Sequence, residues 1–112
     1  MSGGDLKGTA LRGAELRDAD LGGADLSSAD LSGANLTNAF LGEAKLRGAN
    51  LSGATLVRTE LPDADLRRAK LSGAEGLDPE EIRLAVGTSE TQLPEGVDRP
   101  EHWIVPNGDL RA

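Results

Sequence analysis

The sequence contains no cysteine, and only 2% of its 112 residues are aromatic. Without cysteine, the chain can form neither a disulfide framework nor a thiolate metal site. One tryptophan and one phenylalanine cannot fill a core, so the core must be aliphatic. No apolar run approaches the ~20 residues of a membrane-spanning helix, and no signal-peptide pattern precedes Leu6. We therefore expect a cytoplasmic protein that makes no membrane contact.

Groups that carry chemistry are also scarce. His102 is the only histidine, and a metal site would need more ligands than this residue and scattered carboxylates. The glycines follow a fixed period and do not form a phosphate-binding loop. A net charge of −7 and the lack of aromatic residues disfavour direct nucleic-acid binding. The sequence therefore predicts no catalytic site, no cofactor, no metal and no direct contact with nucleic acid.

What the sequence does contain is a leucine at every fifth position from Leu6 to Leu71. A small residue, usually alanine, stands two positions before each leucine, and glycine is frequent two positions after it. Five residues advance an α-helix by about 500°, so the leucines would spiral around it. On a strand, an odd period would send them to alternate faces. The chain buries all of them only if it turns at every repeat and keeps leucine inside a coil.

The stretch ADLSSADLSGANLTNAFLGEAKLRGANLSGA resembles the pentapeptide-repeat family, whose pattern is Ala, Asp or Asn, Leu and two variable residues. The similarity covers about residues 4–75. It implies an all-β solenoid, namely a right-handed quadrilateral β-helix with four repeats in each coil. The repeats here would then form about 3.5 coils. The handedness and the square cross-section come from the resemblance, whereas the period itself indicates only turns at every repeat.

The repeat ends where Gly76 replaces the expected leucine. We therefore divide the chain into a β-helix of residues 1–75 and a C-terminal part of residues 76–112. The C-terminal part begins with a predicted capping helix at about residues 79–86, for which Asp78 is a suitable N-cap. Three apolar residues should face the last coil, namely Ile82, Ala85 and Val86. Residues 88–112 contain three prolines and no period, so we predict an extended tail that packs on the solenoid, with Trp103 as its anchor.

Four repeats per coil would place residues 20 apart on one face. The face built on Leu21, Leu41 and Leu61 carries four acidic residues, no basic residue and one aromatic residue, whereas the face of Leu6 is rich in lysine and arginine. An exposed aromatic side chain among carboxylates suits a basic protein partner. The alternative is that the tail covers the aromatic ring, near Trp103. The candidate partner-binding face consists of Asp20, Phe40, Glu43, Glu60 and Asp63.

These features favour a non-enzymatic scaffold that presents flat faces to an unidentified protein. A second hypothesis follows from the resemblance, because some family members modulate DNA gyrase by imitating duplex DNA. Residues 5–75 carry 11 acidic and 9 basic side chains, which is too nearly neutral to favour this hypothesis. A third is a purely structural repeat protein. Nothing bulky precedes Leu6, so the first coil can also form a homodimer through its uncovered end.

Overall fold

The computed structural model describes residues 2–103. In it the repeats form a solenoid. Residues 20 apart pair through parallel β-bridges one residue long, and from Asp5 to Lys70 each bridge residue directly precedes a leucine. One side of the coil, for example, stacks Asp5, Asp25, Lys45 and Asp65. Within residues 2–103 no strand is longer than such a bridge. The short elements follow from the period, since the chain must turn again after each leucine.

The leucines form the core of the solenoid, as the five-residue period predicts. From Leu21 to Leu71 each is 0–1% exposed. The alanines two positions before them are also buried, except Ala19, which is partly buried. Leu6 and Leu11 in the first coil are only partly buried. Backbone hydrogen bonds of 2.7–3.0 Å join successive coils, such as the one from the Leu26 N–H to the Lys45 carbonyl.

Each corner of the coil is a β-turn that runs from a leucine to the small residue, usually alanine, three residues later. In one of them the Ala54 N–H donates to the Leu51 carbonyl at 3.1 Å. The third turn residue has a positive φ, which is the mark of a type II turn and favours glycine. Seven corners nevertheless carry a side chain at φ 56–64°, and these residues are Asp18, Ser28, Asn38, Glu43, Arg58, Asp63 and Arg68.

Replacing Gly53 with alanine tests this turn requirement. Gly53 has φ +68°, and a Cβ built on it meets no atom within 4 Å, so only the backbone conformation opposes the change. We expect Gly53→Ala to lower the free energy of unfolding by about 1 kcal/mol, measured by urea denaturation. The control Ser28→Gly relieves the same strain at φ 60° and should not destabilise the protein. Equal stability of Gly53→Ala and wild type would contradict the turn assignment.

An α-helix, α1, follows the repeats and spans Pro79–Leu84. The Asp78 side chain accepts a hydrogen bond from the Glu80 N–H at 2.9 Å, so Asp78 is the N-cap. The helix ends two residues before the predicted limit, because Ala85 is extended at φ −88° and ψ 168°. Val86 is 44% exposed, so its predicted place on the apolar face is wrong, although Ile82 and Ala85 are buried.

After α1 the chain rejoins the ladder, which the sequence did not predict. Val86 pairs with Asp65, and Gln92 pairs with Lys70. The interval between partners has grown beyond 20 residues here, so the five-residue period is lost although the pairing continues. Thr91 takes the inward alanine position, and its hydroxyl donates to the Leu66 carbonyl at 2.7 Å. The prediction of an extended tail from residue 88 is therefore wrong as far as residue 92.

Side chains then close the last coil. The Arg99 guanidinium donates through Nη1 to the carbonyls of Thr88 and Thr91, at 2.9 Å each. The Trp103 indole is buried, and its Nε1 donates to the Ala85 carbonyl at 3.2 Å. Trp103 belongs to a 3₁₀ helix, Glu101–Trp103. The carbonyls of Ala85 and Thr91 directly precede the bridge residues Val86 and Gln92, and the corresponding carbonyls of earlier coils accept an N–H from the next coil. No helix in residues 2–103 has the length and apolar character needed to cross a bilayer.

Candidate protein-binding face

The ladder column Asp20, Phe40 and Glu60 lies at the centre of the predicted face. Beside it is an open groove of about 390 Å³. Four of the five predicted residues line this groove, namely Asp20, Phe40, Glu43 and Asp63. Its other lining residues are Ser2, Gly22, Gly23, Gly42 and Pro62. We call these nine residues the Phe40 groove. The solenoid brings them together although they span three coils in sequence.

The Phe40 ring lies over the backbone of two glycines. A Cβ on Gly22 would stand 2.8 Å from Phe40 Cε2, and one on Gly42 would stand 2.9 Å from the same atom. Neither glycine has a positive φ, so the backbone does not require glycine at either position. They are also the only glycines that directly follow a leucine of the repeat. Glycine is therefore needed there to leave room for the ring, which stays 40% exposed.

Glu60 pairs with Phe40 in the ladder but does not line the Phe40 groove. It lines a second groove, of about 320 Å³, together with Asn38, Arg58 and Glu81. Arg58 donates through Nε to Asn38 Oδ1 at 2.8 Å, so this second groove contains a cation. The five predicted residues thus divide between two neighbouring grooves, and only the Phe40 groove lacks a basic residue among its lining residues.

The alternative that the tail covers Phe40 is wrong for the described part of the tail. None of residues 76–103 lines the Phe40 groove. Trp103 instead packs over Gly87, where an added Cβ would stand 2.6 Å from the ring. The Trp103 ring is therefore an anchor for the last coil. No residue from 76 to 103 covers Phe40. Residues 104–112, the end of the predicted tail, lie outside the described residues.

The carboxylates of the Phe40 groove are not neutralised by neighbouring side chains. Across residues 2–103, the ion pairs involve other acidic residues, such as Asp65 with Arg67 at 2.8 Å. Hydrogen bonds and charge from Arg67 hold the pKa of Asp65 below its usual value. In the same way, hydrogen bonds from the Ser32 hydroxyl and N–H lower the pKa of Asp30. The charge of the Phe40 groove, by contrast, remains available to a partner.

Two other surface features near α1 differ from the Phe40 groove. A larger cleft, of about 1010 Å³, lies beside α1 and carries both signs of charge, including Glu80, Arg83 and Arg99. His102 is exposed, and its ring packs edge to face against the Trp103 ring, with the ring centroids 6.4 Å apart. Within residues 2–103, no three histidine or acidic side chains gather as a metal site would require. These features do not amount to catalytic geometry.

Sequence reasoning missed the structural part that the groove glycines play. The sequence signal was that these two glycines directly follow a leucine. In all the remaining repeats that position carries a side chain. The contribution of Ser2 had no signal in the sequence. Its hydroxyl donates to the Gly22 carbonyl at 3.1 Å, which places the N-terminal residues beside the groove.

Comparison with known proteins agrees with this geometry. The family model for pentapeptide repeats matches residues 5–42 and 44–75, in eight copies. The chain belongs to the pentapeptide-repeat family. The family fold is a right-handed quadrilateral β-helix, which accounts for the 20-residue interval between bridge partners. Pentapeptide-repeat proteins are generally non-enzymatic repeat proteins. No curated protein shows a significant match to the chain.

Solved structures of pentapeptide-repeat proteins resemble the chain. Rfr23 from the cyanobacterium Cyanothece 51142 is 31% identical, with a TM-score of 0.65 over 75% of this chain and 56% of Rfr23. A protein from the Arabidopsis thaliana thylakoid lumen is 34% identical over 64% of this chain and 53% of its own, with a TM-score of 0.45. QnrB1, a plasmid-mediated fluoroquinolone resistance protein, is 18% identical over 76% of this chain and 58% of its own, with a TM-score of 0.36. The chain thus spans just over half the length of these proteins.

Proposed function

We propose that this pentapeptide-repeat chain is a non-enzymatic scaffold whose flat faces bind other proteins, and that its principal docking surface is the Phe40 groove. The observation that carries the proposal is an aromatic ring, 40% exposed, among carboxylates that have no ion-pair partner in residues 2–103. Aromatic residues are enriched in protein interfaces, and solenoids commonly bind through their extended surfaces. The negative rim favours a partner with a basic surface.

Phe40→Arg tests the proposal, because it removes the ring and places a positive charge in the groove. We expect a tagged wild-type chain to capture a partner from native cell extract that Phe40→Arg fails to capture. The matched control is Arg47→Glu, which reverses a charge on the face of Leu46 and should capture the partner as wild type does. Recovery of the same proteins by wild type and Phe40→Arg would exclude the Phe40 groove as the docking surface.

The alternative, that the chain modulates DNA gyrase as a DNA mimic, predicts an effect on gyrase that the scaffold proposal does not. A DNA mimic needs sustained negative charge along its length, whereas the described solenoid has lysine and arginine on its other faces. We therefore expect no inhibition or protection in a gyrase supercoiling assay. The same assay separates a scaffold from a DNA mimic. A purely structural protein would differ from both, since it would capture no partner that depends on Phe40.

We also propose that the two ends of the solenoid differ in function. The C-terminal end is closed by Arg99 and Trp103 through the contacts described above. In addition, the Leu61 N–H donates to Glu81 Oε1 of α1 at 2.7 Å. At the other end, the N–H groups of Asp5, Ala10, Glu15 and Asp20 have no hydrogen-bond partner among residues 2–103. Their counterparts one coil later all have one, as when the Asp25 N–H donates to the Gly4 carbonyl. Such an open edge is a template for pairing with another chain.

Antiparallel pairing of two first coils would form a homodimer, since each edge residue offers both an N–H and a carbonyl. We expect light scattering to show a dimer at high protein concentration. Ala10→Pro removes one edge N–H and should weaken the dimer. Because Asp5, Glu15 and Asp20 bring like charges together at this edge, added salt should strengthen it. A monomer at every concentration and salt level would exclude this mode of association.

A further inference from the structure

We infer that the Phe40 groove recognises an arginine side chain of the partner, whose guanidinium stacks on the outward face of the Phe40 ring. This inference rests on the proposed function, because it names the chemistry of the partner at the same surface. It depends on three features of the groove, namely the orientation of the ring, the carboxylates at its rim and the absence of a competing cation in the described structure.

The first feature is that the ring is held flat. Its inner face lies on the backbone of Gly22 and Gly42, which belong to successive coils. Any side chain at either position would collide with the ring, and neither backbone conformation calls for glycine. The 40% exposure of Phe40 therefore comes mainly from its outer face. Pro62, the next residue in the same column, extends this apolar strip. The result is a flat π surface that faces solvent.

The second feature is the position of the carboxylates. Asp20, Glu43 and Asp63 all line the groove that contains the ring. Glu43 and Asp63 occupy corner positions at φ 61° and 60°, where glycine would be favoured. Asp20 accepts one hydrogen bond from the Gly22 N–H through Oδ1 at 3.1 Å, and Oδ2 has none in the described structure. Carboxylate oxygens therefore line the same groove as the ring and can accept N–H groups from a bound cation.

The third feature decides which cation fits. No lysine, arginine or histidine lines the groove, and none of its three carboxylates forms an ion pair within residues 2–103. A planar guanidinium can stack on the ring and donate to the rim carboxylates at the same time, because its N–H groups lie in its plane. A lysine ammonium is more strongly hydrated and has no flat surface. An aliphatic side chain would desolvate the carboxylates without pairing them.

A peptide titration followed by ¹⁵N NMR tests the inference. The probe is a pentapeptide, Gly-Gly-Arg-Gly-Gly, blocked at both ends, and the matched peptides carry citrulline or lysine at the centre. Citrulline has nearly the shape of arginine but no charge. We expect the arginine peptide to shift the amide signals of Gly22, Gly42 and Glu43 in a saturable way. The citrulline peptide should leave them unchanged, and the lysine peptide should bind several-fold more weakly.

Two variants connect this binding to the ring. Phe40→Leu keeps an apolar side chain but removes the π surface, and should weaken binding of the arginine peptide about five-fold or more. Arg47→Glu on another face should bind as wild type does. The wild-type Hα signals of Gly22 and Gly42 should be shifted upfield by the ring, and Phe40→Leu should abolish that shift. This last measurement checks the ring position without any ligand.

Binding of the citrulline or lysine peptide as tightly as the arginine peptide would overturn the inference. So would unchanged affinity in Phe40→Leu. These failures differ from a failure of the proposed function. If Phe40→Arg abolishes partner capture but the arginine peptide does not bind, the groove is an interface without arginine recognition. If the arginine peptide binds but partner capture does not depend on Phe40, the groove recognises arginine and the proposed docking surface is wrong.

Discussion

Leu41→Asp is expected to unfold the protein. Leu41 is 0% exposed and lies in the leucine column between Leu21 and Leu61. Removal of a buried leucine side chain costs about 2–5 kcal/mol. An ionised carboxylate without a partner in that position costs several kcal/mol more. A domain of this size has about 5–15 kcal/mol of stability in total. The two losses together therefore consume most or all of it.

Circular dichroism and the dispersion of amide NMR signals measure this result. The matched control is Leu6→Asp in the first coil, where the leucine is only partly buried. There the new carboxylate can reach water, so the variant should fold and lose less stability. A Leu41→Asp protein that melts at the wild-type temperature would show that Leu41 does not point into the core.

Trp103→Ala is expected to have the second largest effect. The indole is 1% exposed, packs over Gly87 and donates to the Ala85 carbonyl. Truncation of a buried tryptophan costs about 3–5 kcal/mol. The loss should concentrate at the C-terminal end, because the coils of a solenoid contact mainly their neighbours. The last coil should therefore open before the central coils do.

Hydrogen exchange measures where the stability is lost. In Trp103→Ala, exchange should accelerate at Val86 and Leu66, whose N–H groups bond to the Ala64 and Val86 carbonyls. The N–H of Leu41, in a central coil, should keep its protection. The control Trp103→Phe retains an aromatic ring and loses the hydrogen bond, which is worth about 1 kcal/mol. Wild-type exchange throughout Trp103→Ala would contradict a closing role for Trp103.

The sequence predicted the repeat region well and the segment after it poorly. The inward leucines followed from the period alone, because each repeat must bury one leucine and then turn. The length of α1 was overestimated, since the sequence does not show that Val86 pairs with Asp65 in the ladder. The pairing of Gln92 with Lys70 was not predicted from the sequence for the same reason. Insertions lengthen the interval between partners and thereby hide the period.

The candidate face was predicted in part. Stacking at an interval of 20 residues placed Asp20, Phe40, Glu43 and Asp63 together, and all four line one groove. The same reasoning could not separate Glu60, which lies in a groove with Arg58 from the neighbouring side of the coil. Such a neighbour around a corner depends on side-chain direction, and a repeat diagram does not contain that information.

The sequence by itself determined that this protein is a coil of leucine-centred turns. A five-residue period is incompatible with burial of leucine on any single helix or strand. Only the tertiary structure decided that the Phe40 ring lies on Gly22 and Gly42 with its outer face toward solvent. It also decided that Trp103 closes the last coil and does not cover Phe40. These outcomes depend on contacts between distant residues, such as Phe40 with Gly22 and Trp103 with Ala85, which no local sequence preference specifies.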